Sequence, residues 1–393
     1  MALVSKTFSQ IITFTRASTA TYFDSTGTLT SAAVDAPRLD YNPSTLAAQG
    51  FLVEEARTNL CLQSEDWGSA TWSKSGSTIT ANATTAPTGT TVADKLVEDT
   101  STGTHITTQS ISLGGSVDNS AYVISVFAKA SERTRFQLFD NAQASSGITS
   151  FDLSNGTVVS GTGTITAVGN GWYRCSVFPL KSTSITSTLT IRLISTGSTT
   201  NYTGDGTSGI FVFGAQLEVG AFPTSYIPTT TTALTRAADV ASVNTLSPWY
   251  NAAEGTLYVQ AQDMSDAAHA TSQPRAVSIN DNTSSNTIDV SRIPASAQGR
   301  ARVDVATVSQ FNSLTTAWPL ATQAKVALAY KENDFAACLG GGSVSTDALG
   351  TIPIVTRMAI GNLTTGNSWV GWIQRITYYP TRLSNAQLQA ITA

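Results

Sequence analysis

Apolar and polar residues alternate with a period of two along much of this chain. The clearest runs are Tyr122-Val123-Ile124-Ser125-Val126-Phe127-Ala128-Lys129 and Ser187-Thr188-Leu189-Thr190-Ile191-Arg192-Leu193-Ile194. Such alternation predicts strands with one face buried. Between residues 60 and 228, further strands are expected at Thr78–Thr80, Asp94–Val97, Ile106–Ile111, Arg135–Phe139, Gly171–Phe178 and Ile210–Val219. About eight strands, with turn signals at Leu113-Gly114-Gly115, Ser154-Asn155-Gly156-Thr157 and Gly169-Asn170-Gly171, predict a two-sheet jelly roll.

Beyond it, Ile227-Pro228 and Thr229 to Thr232 read as a linker. A second strand-rich block follows over 233–393, with strands expected at Gly255–Ala261, Thr287–Val290, Lys325–Tyr330, Arg357–Ile360 and Trp369–Tyr379. Its end changes character. Ser384, with Gln387 three residues on, has the spacing of a capping box and predicts a short helix.

Residues 1–59 are more broken. Ala20–Phe23 and Thr28–Thr30 flank Asp24-Ser25-Thr26-Gly27, which predicts a hairpin, and Phe51–Glu54 is a further short strand. The block is too short to bury a core alone. It is therefore expected to dock through Phe8, Ile11, Ile12 and Phe14 on a neighbouring domain, on sister chains or on a larger particle. Phe14-Thr15-Arg16-Ala17 is echoed by Leu234-Thr235-Arg236-Ala237, too short an echo to make a repeat. The fold class is thus all-β: two β-sandwich domains in tandem behind a short N-terminal docking segment, with boundaries at 1–59, 60–228 and 233–393.

Composition agrees. Only 12% of the 393 residues are charged, about half the usual ~25%. The 46 Ser and 61 Thr take their place. Scarce Lys, Glu and Arg argue against a helical bundle, and abundant aliphatic residues argue against charge-driven disorder. A net charge of −4 and no basic cluster argue against a nucleic-acid partner. No apolar run reaches the ~20 residues that span a bilayer, and the first six residues lack the pattern of a signal peptide.

Candidate chemistry is sparse. His105 and His269 are the two histidines, and no Gly-x-Ser-x-Gly elbow accompanies them. Cys61, Cys175 and Cys338 have neither metal-ligand nor disulfide spacing and read as small buried hydrophobes. Asp205, Asp281 and Asp289 could supply calcium oxygens but read better as turn residues. Glu54-Glu55 and Glu65-Asp66 are adjacent in sequence and would point to opposite faces of a strand, poor geometry for a hydrolytic pair. No catalytic residue, metal ligand or cofactor is assigned. Sugar stacking needs exposed rings. Trp67, Trp72 and Trp249 lie near loops and are the glycan-binding candidates, while Trp172, Trp369 and Trp372 read as core and Trp318 is unplaced.

Three N-terminal segments resemble the opening of tailed-bacteriophage virion proteins: Phe14-Thr15-Arg16-Ala17-Ser18-Thr19-Ala20-Thr21-Tyr22-Phe23-Asp24, Pro37-Arg38-Leu39-Asp40-Tyr41 and Gly50-Phe51-Leu52-Val53-Glu54-Glu55-Ala56-Arg57-Thr58-Asn59-Leu60. Ser64-Glu65-Asp66-Trp67, Trp72-Ser73-Lys74, Ala93-Asp94-Lys95-Leu96, Gly171-Trp172-Tyr173-Arg174, Gly214-Ala215-Gln216-Leu217-Glu218 and Tyr226-Ile227-Pro228 resemble the phage head spike or fibre domain, a carbohydrate-binding-module-like jelly roll. Gly255-Thr256-Leu257-Tyr258 and the segment Tyr378 to Leu388 resemble a concanavalin A/laminin-G-like sandwich.

The resemblance implies a non-enzymatic head fibre or spike, capsid decoration or tail fibre. Such a protein would be made in a bacterial cytoplasm and carried on the virion surface as a homotrimer, contacting other virion proteins and host-surface glycan. It also implies that the Ser-Glu-Asp-Trp and Gly-Trp-Tyr-Arg residues are framework. A polysaccharide depolymerase and a purely structural capsid or tail protein are the alternatives.

Overall fold

The computed structural model describes residues 8–113, 121–141, 147–178, 186–265, 273–361 and 368–393. His269 and Gly114-Gly115 lie outside the described residues. The chain is all-β, built as two β-sandwiches.

The middle sandwich packs two six-stranded antiparallel sheets. One runs Gly163–Ala167, Trp172–Val177, Tyr122–Ala130, Gly209–Val219, Ala93–Glu98 and Ser77–Thr84. The other runs Thr157–Ser160, Thr149–Asp152, Arg135–Asp140, Thr186–Ile194, Ile106–Ser112 and Ser73–Ser75. All eight expected strands are present. Strands such as Ser73–Ser75 and Thr157–Ser160 were not expected, because they are short and largely exposed and carry no apolar alternation. The inward rows, including Ile124, Val126, Phe136, Leu138, Ile191 and Leu217, form a closed core. Alternation is the reason: the inward positions are mostly apolar, so closing the two sheets removes them from water.

The second sandwich packs two seven-stranded sheets, and neither is made by the C-terminal block alone. Strand Thr13–Thr15 pairs with Val240–Val243 at the edge of one sheet. Strands Ala48–Val53 and Arg38–Tyr41 extend the other beyond Gly371–Tyr379. Phe51 and Val53 belong to the core of this sandwich, and Phe8, Ile12 and Phe14 pack against it. Phe8 and Phe14 both meet the Phe51 ring edge-on, at centroid distances of 5.3 and 5.7 Å.

Of the docking partners expected for the first block, the structure shows a neighbouring domain of the same chain. Phe8, Ile12 and Phe14 spend their apolar surface inside their own chain, and only Ile11, 46% exposed, faces solvent. The hairpin Ala20–Phe23 and Leu29–Ala32 forms as expected, with the Asp24 carboxylate accepting from the backbone N–H of Thr26 and Thr28 and Gly27 at φ 77°. It lies on the outer face of the middle sandwich, where Leu29 packs with Phe127, Trp172, Phe213 and Tyr226. Residues 8–59 therefore tie the two sandwiches together.

The expected linker is packed as well. Ile227 is buried and donates its N–H to Gln216, and the Thr229 hydroxyl donates to the Cys61 carbonyl at 2.6 Å. The C-terminal helix Asn385–Thr392 starts with the predicted reciprocal Ser384–Gln387 capping box and lays Leu388 against Tyr258, Ala327 and Cys338. The three cysteines are buried and unpaired.

Candidate functional site

The sequence motifs of residues 14–60 converge on the junction between the sandwiches. Arg16, Arg38, Glu54, Arg236 and Asp239 form one buried charge network there. The Arg16 guanidinium meets Asp239 at 3.1 Å, Arg38 meets Glu54 at 2.7 Å and Asp239 at 2.5 Å, and Arg236 meets Glu54 at 2.9 Å. The backbone closes the ring: Glu54 N–H donates to Asp239, and Asp239 N–H donates to the Glu54 carbonyl.

Burial works against ionisation of Glu54, but Arg236 and Arg38, with Ser225, outweigh it and hold the carboxyl at about 2. The Phe14-Thr15-Arg16 and Leu234-Thr235-Arg236 echo thus has a local meaning, since its two arginines serve the same network. In strand Arg38–Tyr41 the charged residues face inward and the apolar one faces out. Leu39 is 54% exposed while Arg38 and Asp40 point inward. The inward face of this strand meets charge rather than a hydrophobic core.

Beside the network lies a cleft of about 230 Å³. One wall comes from the C-terminal sandwich. Arg38, Leu52 and Trp372 are successive cross-strand partners, so their side chains share one sheet face. The indole N–H of Trp372 donates to Asp40 at 2.8 Å, and the Phe23 N–H donates to the same carboxylate at 2.7 Å. Burial nevertheless raises Asp40 to about 6.

The opposite wall comes from the middle sandwich. Thr166 pairs with Arg174, and Thr164 with Ser176, in adjacent strands. Arg174 donates to the Thr224 carbonyl at 2.7 Å and to the Ser125 hydroxyl at 3.0 Å and lies 5.5 Å from the centroid of the Phe127 ring. Its Nε is buried without a partner. Tyr22, Phe23, Met264 and Val370 also line the cleft. Trp372 is only partly buried. The cleft thus offers an aromatic side chain, hydroxyls, a guanidinium and a carboxylate, the mixture that grips a polar ring with apolar faces.

The sequence candidates fall elsewhere. Trp67 and Trp72 are at most 1% exposed and stack on each other at 4.1 Å inside the middle sandwich, so neither ring can meet a sugar. That corrects their assignment. Trp249 is half-buried on the C-terminal sandwich, edge-on to Tyr378 at 5.1 Å, with its N–H on the Thr245 carbonyl. None of the three lines the cleft. A wider depression of about 530 Å³, near Glu65 and Pro228, has no aromatic side chain in its lining.

Trp372 was read as core because it sits in an apolar run. The signal that finds it is the alternation itself: Ile373 packs in the core, so its neighbour must face the other way. Asp40, in strand Arg38–Tyr41, and Glu54, just after strand Ala48–Val53, meet in one cleft, a pairing that adjacency in sequence does not reveal.

The remaining candidates resolve simply. Both ring nitrogens of His105 lie against backbone carbonyls, those of Gly76 and Tyr202. Asp205 and Asp281 cap their own turns through the N–H groups of Thr207 and Thr283. Glu55 pairs with Arg57 at 2.6 Å. Among the described residues, no group of three His, Cys, Asp or Glu side chains could hold a metal ion.

No family model and no curated protein matches this chain. Among solved structures, similarity extends to domains LG4-5 of the mouse laminin alpha1 chain, with 9% identity over 73% of this chain and 88% of that one at a TM-score of 0.27. It extends to a Trypanosoma rangeli sialidase, with 12% identity over 76% of this chain and 60% of the sialidase at a TM-score of 0.31. It also extends to chicken galectin 2, with 9% identity over 33% of this chain and 92% of the galectin at a TM-score of 0.24. Likeness at this level bears on no residue and on no activity of this chain.

Proposed function

We propose that this chain is a carbohydrate-binding adhesion protein of a bacteriophage surface, and that the cleft between its sandwiches is where the sugar sits. The observation that carries the binding reading is Trp372. It is a partly exposed indole held in place by Asp40, facing a wall of Thr164, Thr166, Ser176 and Arg174. A pyranose ring has an apolar face for the indole and hydroxyls for the opposite wall. A glycan array probed with multimerised protein tests this. Trp372→Ala should remove the hits, whereas an array with no hits refutes the reading and leaves a structural role.

The virion placement rests on the sequence resemblance, as does assembly into a homotrimer alongside other virion proteins. Labelling the protein on purified particles locates it on head or tail, and sedimentation of the isolated chain reports the oligomer. Many weak sites on one particle add up to strong attachment, so a single weak cleft per chain suffices.

One observation favours polysaccharide hydrolysis as a second reading. Asp40 and Glu54 line the same cleft, one raised to about 6 and the other lowered to about 2, the split expected of an acid and its ionised partner. Against it, Glu54 already accepts from Arg38, the Ser225 hydroxyl and the Ser225 N–H, which leaves little free to attack or to activate water. Release of reducing ends from host polysaccharide, abolished by Asp40→Asn, would establish hydrolysis instead.

A further inference from the structure

Arg174 differs from the other arginines at the junction. Arg16, Arg38 and Arg236 each meet a carboxylate within 3.1 Å. Among the described residues, Arg174 meets none within ion-pair distance. Its two hydrogen bonds go to a carbonyl and a hydroxyl, both neutral, and its Nε, like those of Arg38 and Arg236, has no acceptor. A guanidinium carries five N–H donors in a planar fork, so three remain unused here. Glu218 and Glu54 attract Arg174 only from beyond ion-pair distance and do not offset its burial, which an anion brought into contact from outside would do.

We propose that the cleft selects an acidic saccharide, a hexuronate-type unit whose carboxylate is received by Arg174 while Trp372 covers a face of its ring. The proposal rests on the carbohydrate-binding reading above and names its ligand class. Three features agree with it. Arg174 and Trp372 stand on opposite walls of the same cleft, so one ring can touch both. The cleft, at about 230 Å³, lies below the ~300–1,000 Å³ of drug-sized pockets and suits a single sugar ring.

Asp40 supplies orientation. It is fixed beside Trp372 by two hydrogen bonds, so a ligand carboxylate on that side meets a like charge and is turned toward the Arg174 wall. The chemistry is recognition alone, with no bond made or broken. A carboxylate on a guanidinium is a charge-assisted and often bidentate contact, stronger than the hydroxyl contacts around it.

Calorimetric titration of the full chain with digalacturonate and with its methyl ester, which differ in the carboxylate charge, tests the proposal. The acid should bind at least ~10-fold more tightly than the ester, equivalent to about 1.4 kcal/mol. Arg174→Gln should erase that preference while ester binding remains, and Arg174→Lys should keep part of it. Trp372→Ala should weaken acid and ester together. Should Arg174→Gln fail to fold, the wild-type preference can be read against salt instead, and it should shrink as ionic strength rises.

Equal binding of acid and ester, or a preference that survives Arg174→Gln, overturns the acidic-ligand proposal and leaves the carbohydrate reading standing. If neither probe binds and the glycan array is also blank, the carbohydrate reading itself falls.

Discussion

Arg38 donates to Asp239 across 2.5 Å, with both side chains fully withdrawn from solvent and their positions 201 apart in the chain. This contact joins the N-terminal block to the first strands of the C-terminal sandwich at the point where the middle sandwich docks. Burial alone would make the Arg38 guanidinium easier to deprotonate, but Glu54 and Asp239 more than compensate and raise its pKa. Removing one partner of a buried pair strands the other, at a cost of about 3–5 kcal/mol. Arg38→Ala should therefore lower unfolding stability by that amount in urea titration. Lys95→Ala, which breaks a pair whose Glu132 is half exposed, should cost no more than about 1 kcal/mol. Equal effects from the two variants would mean that the network does not hold the junction.

Asp40 and Glu54 should give stability opposite slopes in pH windows that overlap only near pH 4. Asp40 titrates at about 6 when folded against 3.8 normally, so the folded state keeps its proton longer than the unfolded chain. Stability present below pH 3.8 is then lost as pH rises to 6, on the order of 3 kcal/mol for a shift of about two units. Glu54 is lowered from 4.5 to about 2, so its contribution is complete above pH 4.5 and disappears as pH falls toward 2. Asp40→Asn should flatten the melting-temperature profile between pH 4 and 6 and leave the acid limb in place. A gap between wild type and variant that stays constant from pH 4 to 7 would count against the raised Asp40 pKa.

The tryptophans should divide into two classes. Trp67 is fully buried against Trp72, so Trp67→Ala should destabilise the chain by about 3–5 kcal/mol while leaving sugar affinity per folded molecule unchanged. Trp372 is partly exposed at the cleft, so Trp372→Ala should remove sugar binding at a smaller cost in stability. Melting curves paired with glycan titration separate the two. Sugar affinity lost through Trp67→Ala and retained in Trp372→Ala would reverse the assignment.

These contrasts mark what alternation in the sequence can and cannot convey. The long strands of the middle sandwich were legible because most inward residues are apolar, as in Tyr122–Ala130. Arg38–Tyr41 was not, because its inward residues are charged and their partners lie 16 and 201 residues away. The motif residues of the first block were visible as a resemblance, but their common role is a three-dimensional fact. Exposure of Trp67 and Trp72 was inferred from neighbouring Gly and Ser, which describe the loop and not the ring. Trp372 was hidden by two apolar neighbours, although strict alternation with Ile373 would have exposed it.

The N-terminal segment gives the last contrast. As a docking arm, residues 1–20 could be deleted from the isolated chain without thermal consequence, and only incorporation into particles would suffer. Here they contribute strand Thr13–Thr15, the two rings against Phe51, and Arg16 of the charge network. Deletion leaves the edge of Val240–Val243 unpaired, uncovers part of the C-terminal core and removes one partner of Asp239. The truncated chain should therefore melt well below the full chain, whether or not particles are present. Ile11→Ala, at a residue 46% exposed, should stay within about 0.5 kcal/mol of wild type. An unchanged melting temperature in the truncated chain, with loss of particle incorporation alone, would restore the docking-arm role.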